Sequence, residues 1–142
     1  MDTADLIIPT AVLVSLTFAV SISLVIYRFY LVRKGLVHPG YFKLNKGGKP
    51  PKQHQALEHN YSNLFEVPTL FYAVVAIAIA TQHIDQLLVV LAWTFVGLRV
   101  AHTLIHVFYN NVIHRLVAFF SAYVVVGVMW FRVVSDIIKA AA

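Results

Sequence analysis

Arg99, His102 and His106 fall at i, i+3 and i+7 in the segment RVAHTLIH, inside an otherwise apolar stretch. That spacing puts all three on one side of a helix. A second set, in HNYSNLFEVP, repeats the pattern: His59, Asn63 and Glu66 are at i, i+4 and i+7. A further cation, Arg115, follows His114 a few residues after the first set. Guanidinium, imidazole and amide groups are strong donors to carboxylates and other anions. The one carboxylate among them, Glu66, suits a ligand ammonium group. The sharp reading is therefore a polar cavity for an anionic ligand.

Two other readings of the same residues stand open. Glu66 and Arg99 would serve equally as a structural ion pair that fixes the register of two helices, because buried charges are usually paired whatever the function. His102 and His106, four residues apart, would both reach one metal ion or a haem. The segment HTLIH, however, lacks the glutamate of the zinc-protease His-Glu-x-x-His pattern, and no acidic residue or cysteine stands close by. No metal is expected. His38, His54 and His83 read as ordinary loop residues. Cysteine is absent, so any sulfur chemistry must use the sulfur of a ligand.

The elements that carry these groups are membrane helices. Of 142 residues 60% are hydrophobic and only 12% charged, against about 25% charged in soluble domains. The segments Leu6–Tyr27, Val67–Ile84, Gln86–Leu98 and Leu116–Phe131 contain no Asp, Glu, Lys or Arg. A span needs about 20 mainly apolar residues, which the first segment supplies alone and the others supply with a few polar residues at their ends. Two aspartates precede the first segment, so it reads as a span and not as a cleaved signal peptide. The spacing predicts helices over roughly 5–33, 55–81, 84–109 and 112–138 in a single domain of residues 1–142, with Asp85 as an N-cap. Short connections at 82–85 and 109–111 make neighbours antiparallel, giving an all-α, up-down bundle of four transmembrane helices. The expected fold class is an all-α integral membrane protein.

Seven of the eleven Lys and Arg lie between Arg28 and Lys52, with no acidic residue among them. A basic region can bind nucleic acid, but beside a membrane helix the positive-inside rule is the better account. Loop 34–53 is thus expected in the cytoplasm and both termini on the opposite side. No nucleic-acid partner is expected. Glu66 and Arg99 each lie about ten residues in from that side, roughly 15 Å at 1.5 Å per residue. There a charge costs about 2.5–3.5 kcal/mol by insertion scales, so each needs a partner, water or a task.

These residues resemble the family of membrane-associated proteins in eicosanoid and glutathione metabolism, which includes microsomal glutathione transferases and microsomal prostaglandin E synthase. Two motifs carry the likeness. One is Asn-x-x-Glu followed by proline, here Asn63, Glu66 and Pro68; the other is Arg-x-x-His-Thr with a later arginine, here Arg99, His102, Thr103 and Arg115. The resemblance implies a homotrimer with glutathione bound between subunits, and a bacterial inner membrane fits the short chain better than the endoplasmic reticulum. It implies that Asn63 and Glu66 hold the polar backbone of glutathione, that Arg99 pairs with Glu66, and that His102 donates. Arg115 would stabilise the thiolate and Arg33 would bind a ligand carboxylate. A cation favours the thiolate over the thiol, and the thiolate would attack a lipophilic electrophile or hydroperoxide. Relative to the family pattern, His59 and Ser62 replace arginines, His106 and Phe119 replace tyrosines, and Leu116 replaces a serine. His59 and His106 would take over as donors. The alternative is a non-catalytic membrane protein of this fold, acting as an assembly or lipid-binding subunit with a degenerate glutathione site.

Overall fold

The computed structural model describes residues 2–44 and 50–141. Its elements are α1 (Thr3–Arg33), α2 (Pro39–Leu44), α3 (Lys52–Ala80), α4 (Gln86–Phe108) and α5 (Val112–Ala141), with no strand among the described residues. The four long helices are each long and apolar enough to cross a membrane, and the chain is an integral, multi-pass membrane protein. The short α2 is a departure from the sequence reading, which made the basic connection a loop throughout. Part of that loop, residues 45–49, lies outside the described residues.

Helix ends follow from local chemistry. Asp85 caps α4 as expected, its side chain accepting from Leu88 N at 2.8 Å. At the end of α1, Gly35 adopts φ +69°, and the Leu36 and Gly35 amides return to the carbonyls of Leu31 and Val32. This is the Schellman closure, which needs a left-handed residue. Gln82 does the same after α3 at φ +57°; after α4 Asn110 is also left-handed, at φ +49°, but there its own amide and that of Tyr109 both return to the Ile105 carbonyl.

Helix α1 packs on α3 and α4, while α5 packs chiefly on α4 and also on α3. The buried residues of α1 form a thin stripe: Leu6, Leu13 and Val20, then Leu24 and Leu31, recur every seven residues as coiled-coil seams do, with Pro9 beside them. At the centre of the bundle the rings of Phe71 and Phe95 stack with centroids 4.7 Å apart and planes within 4°. Val67, Val74, Ala92, Val96, Ala122, Val126 and Met129 surround them. Large side chains such as Phe18, Phe29, Phe120 and Phe131 point outward and are exposed, which suits helices solvated by lipid rather than water.

The buried face of α4 changes character along its length. Leu88, Ala92, Phe95 and Val96 are apolar, and Arg99, His102, Thr103 and His106 continue the same face as polar groups. In α3 the order is reversed, with His54 and Asn60 buried before Leu64, Val67 and Phe71. Because the helices are antiparallel, both polar halves meet at one end of the bundle. This is the end that carries the basic loop.

Candidate functional site

The polar half is organised around Arg99, whose side chain is fully buried. Its Nη2 donates to the backbone carbonyl of Asn63 at 2.7 Å. Pro68, also buried in α3, has no N–H and cannot donate to the carbonyl four residues earlier. That carbonyl belongs to Leu64, next in the chain to the Asn63 carbonyl that Arg99 reaches. The guanidinium also lies 5.8 Å from the Phe119 ring centroid, within cation–π range.

Here the structure corrects the sequence reading. Arg99 and Glu66 do not form an ion pair: Glu66 is exposed, and the partner of Arg99 is main chain. The two helices do reach similar depth, as expected. Glu66, however, lies three residues past Asn63, about 60° away around the helix axis and about 4.5 Å further along it, and there its side chain is on the exposed side of α3. His59, on the same edge of α3, is exposed too.

Asn63 on α3, His102 on α4 and Arg115 on α5 converge on one cavity of about 220 Å³, completed by Val112, Leu116 and Phe119. The rings of His102 and Phe119 are 6.0 Å apart. Arg115 Nη1 donates to Asn110 Oδ1 at 2.7 Å, while its buried Nε has no protein partner. His102 Nδ1 is likewise buried and unpartnered. A guanidinium, an imidazole and an amide beside one cavity suit an anionic group. Val112 and Leu116 are exposed, so the cavity opens on the outer surface of the chain.

Not every expected site residue joins it. His106 is buried beside His102, ring centroids 5.4 Å apart, yet it lines a different and larger cavity of about 450 Å³. Arg33, in the last turn of α1, is exposed and lines neither cavity. Among the described residues no group of three or more His, Cys, Asp or Glu could hold a metal ion.

Several structural partners were not picked out from the sequence. Thr103 Oγ1 donates to Asn60 Oδ1 at 3.3 Å, a buried tie between α4 and α3. The chain position of Asn60 beside His59 gave no sign of its burial. Asn110 read only as part of a short connection, yet its side chain holds Arg115. His54 is no loop residue. It is fully buried in the first turn of α3, between the rings of Tyr27 and Phe42 at 6.2 and 5.4 Å. Arg28 joins it, donating from Nε to His54 Nε2 at 3.3 Å and pairing with Glu58 at 2.7 Å.

Searches among curated proteins and among solved structures returned no match. A family model, that of the MAPEG family, matches residues 6–135, a range that takes in most of α1 and α5, all of α3 and α4, and every residue of the cavity shared by Asn63, His102 and Arg115. This chain belongs to the MAPEG family.

Proposed function

We propose that the protein is a membrane-bound, glutathione-dependent transferase or peroxidase acting on lipophilic electrophiles or hydroperoxides. The observation that carries this reading is the meeting of Asn63, His102 and Arg115, from three helices, on one cavity. When bound, glutathione supplies the nucleophilic sulfur that this cysteine-free chain lacks. Arg115 is the catalytic residue in this reading. Its guanidinium stabilises negative charge on sulfur, and Asn110 fixes its direction. A thiol of ordinary pKa near 8.5 is mostly protonated at neutral pH, and a cation alongside shifts it toward the thiolate. Asn63 and His102 donate to the polar groups of the tripeptide. The thiol proton leaves to water at the polar end of the bundle, while the apolar acceptor arrives from the bilayer.

A cavity of 220 Å³ is smaller than the usual ligand site of about 300–1,000 Å³. In this reading a neighbouring copy in a homotrimer closes it further. The exposed Glu66 and His59 would then meet the ligand amino group and carboxylates at the subunit boundary, and Arg33 would add a cation from its helix end. The basic loop faces the cytoplasm by the positive-inside rule, where glutathione is dissolved.

The test is ultraviolet difference absorbance in the thiolate band on purified protein titrated with glutathione at neutral pH. A saturable signal in the wild type that is lost in Arg115→Ala, with the oligomer intact, supports the reading. No signal at millimolar glutathione would overturn it in favour of the non-catalytic alternative, which the replacement of a hydroxyl by Phe119 in the cavity wall favours.

A further inference from the structure

The short α2 lies beside the end of α1, and the two enclose a groove of about 330 Å³. Its α1 wall is Val25, Arg28, Phe29 and Val32, and its α2 wall is Pro39 and Phe42. The α1 residues fall at i, i+3, i+4 and i+7, one face of the helix. That face is on the outside of the bundle, with Val25 and Phe29 exposed. Val25 lies roughly 12 Å, at 1.5 Å per residue, in from the end of α1 at Arg33. The groove therefore runs from the membrane surface into the hydrocarbon layer.

Its walls are built by contacts within the chain. The Phe42 ring packs against His54 with centroids 5.4 Å apart, and the Arg28 guanidinium lies 5.4 Å from the Phe42 centroid. Arg28 itself is engaged, since Nη2 donates to Glu58 and Nε to His54. Beyond it positive charge is in surplus. Arg33 and Lys34 follow Val32, Lys43 follows Phe42, and all three are exposed. Glu58 is the first acidic residue after Asp5, and Arg28 already pairs with it. A headgroup ammonium would find no free carboxylate here, whereas a phosphate finds cationic donors.

We infer that this groove binds an anionic phospholipid of the leaflet on the basic side. The phosphate sits among Arg33, Lys34 and Lys43 at the mouth, and one acyl chain lies along Val25, Phe29 and Val32. Juxtamembrane cations are drawn to anionic lipid in general. A formed apolar slot beneath them turns that attraction into a site for one molecule. The inference goes beyond the thiol chemistry and does not rest on it, because the groove shares no lining residue with the cavity at Arg115.

The experiment uses the absence of cysteine to place a single bimane fluorophore on the full-length protein. Ile22→Cys, exposed one turn deeper than Val25, puts it beside the groove. Val124→Cys, exposed on α5 at similar depth, puts it away from the groove. Each labelled protein, in phosphatidylcholine vesicles, is titrated with phosphatidylglycerol carrying brominated acyl chains, which quench on contact. At Ile22 quenching should saturate at a mole fraction about fivefold or more below that needed with brominated phosphatidylcholine. At Val124 the two lipids should quench alike. Lys43→Gln should reduce the preference at Ile22 about fivefold, the scale of one basic side chain at an anionic surface. Phe42→Ala, which removes the α2 wall and keeps every cation, should reduce it as well. An equal preference at Ile22 and Val124 would overturn the site in favour of general attraction. Equal quenching by the two lipids at Ile22 would overturn the anionic head. Soluble glycerol phosphate that abolished the preference would overturn the lipid in favour of a free phosphate. A failure of glutathione binding leaves each of these outcomes readable, because none of them involves a thiol.

Discussion

The guanidinium of Arg99, wholly buried in α4, is held at 2.7 Å by the backbone carbonyl of Asn63 on α3. This bond ties the two helices where their packed faces turn from apolar to polar. Each arginine of the polar half is held by one oxygen, Arg99 by main chain and Arg115 by the Asn110 side chain, and Arg99 Nε and Nη1, like Arg115 Nε, are buried without a protein partner.

Arg99→Met should therefore be primarily a stability variant. It removes a hydrogen bond from a charged donor, worth about 1.5–3 kcal/mol, and keeps most of the side-chain volume. Thermal unfolding in detergent should show a midpoint several degrees lower, partly restored in Arg99→Lys. An unchanged midpoint would mean that the bond contributes nothing net.

Asn110→Gly separates backbone from side chain at the α4–α5 turn. Glycine tolerates the positive φ of this position at no steric cost, so the turn should survive with an unfolding midpoint close to wild type. The loss of Oδ1 frees Arg115. Thiolate formation with glutathione should fall several-fold while the oligomer persists. Equal thiolate yield in the variant would show that Arg115 needs no such guide.

At the other end of the bundle Asp85 has two duties. It caps α4 through Leu88 N and pairs with Arg132 of α5, which also reaches Asp136 at 3.3 Å. Asp85→Asn keeps a capping oxygen and loses the charge, so stability should drop by less than about 1 kcal/mol, as for other exposed pairs. Asp85→Ala loses the cap too, at a further cost of about 1 kcal/mol. Parallel denaturation curves would assign the cost to the ion pair or to the cap.

His54 joins α2 to α1 and α3 through its contacts with Phe42, Tyr27 and Arg28. His54→Ala should cost about 2–5 kcal/mol, the range for emptying a buried site. It should also release α2, so that limited proteolysis cuts within residues 34–53 well before the wild type. Slow proteolysis in the variant would show that the loop is held elsewhere.

How far the sequence could be read differs between the fold and the site. The long helices are visible as uncharged apolar runs, because lipid demands length and hydrophobicity from each span separately. Asn63, His102 and Arg115 were likewise found from motif spacing, and they do converge. Direction was harder. His106 shares the buried face of His102 but lies about 40° further round and about 6 Å along the helix, enough to turn it into another cavity. Glu66 faces outward for the same geometric reason. Asn110 and His54 owe their roles to partners far from them in the chain or to a turn conformation, which no local pattern displays.

The stacked rings of Phe71 and Phe95 have a consequence for the membrane itself. They stand in a dry layer, with Val67, Val96 and Met129, directly beyond Arg99. The side chains that fill that layer carry no group that could relay a proton. Within one chain this layer separates the polar half from the far end of the bundle. An ion that reached the buried arginine from the polar end would find no polar group among these side chains to carry it onward.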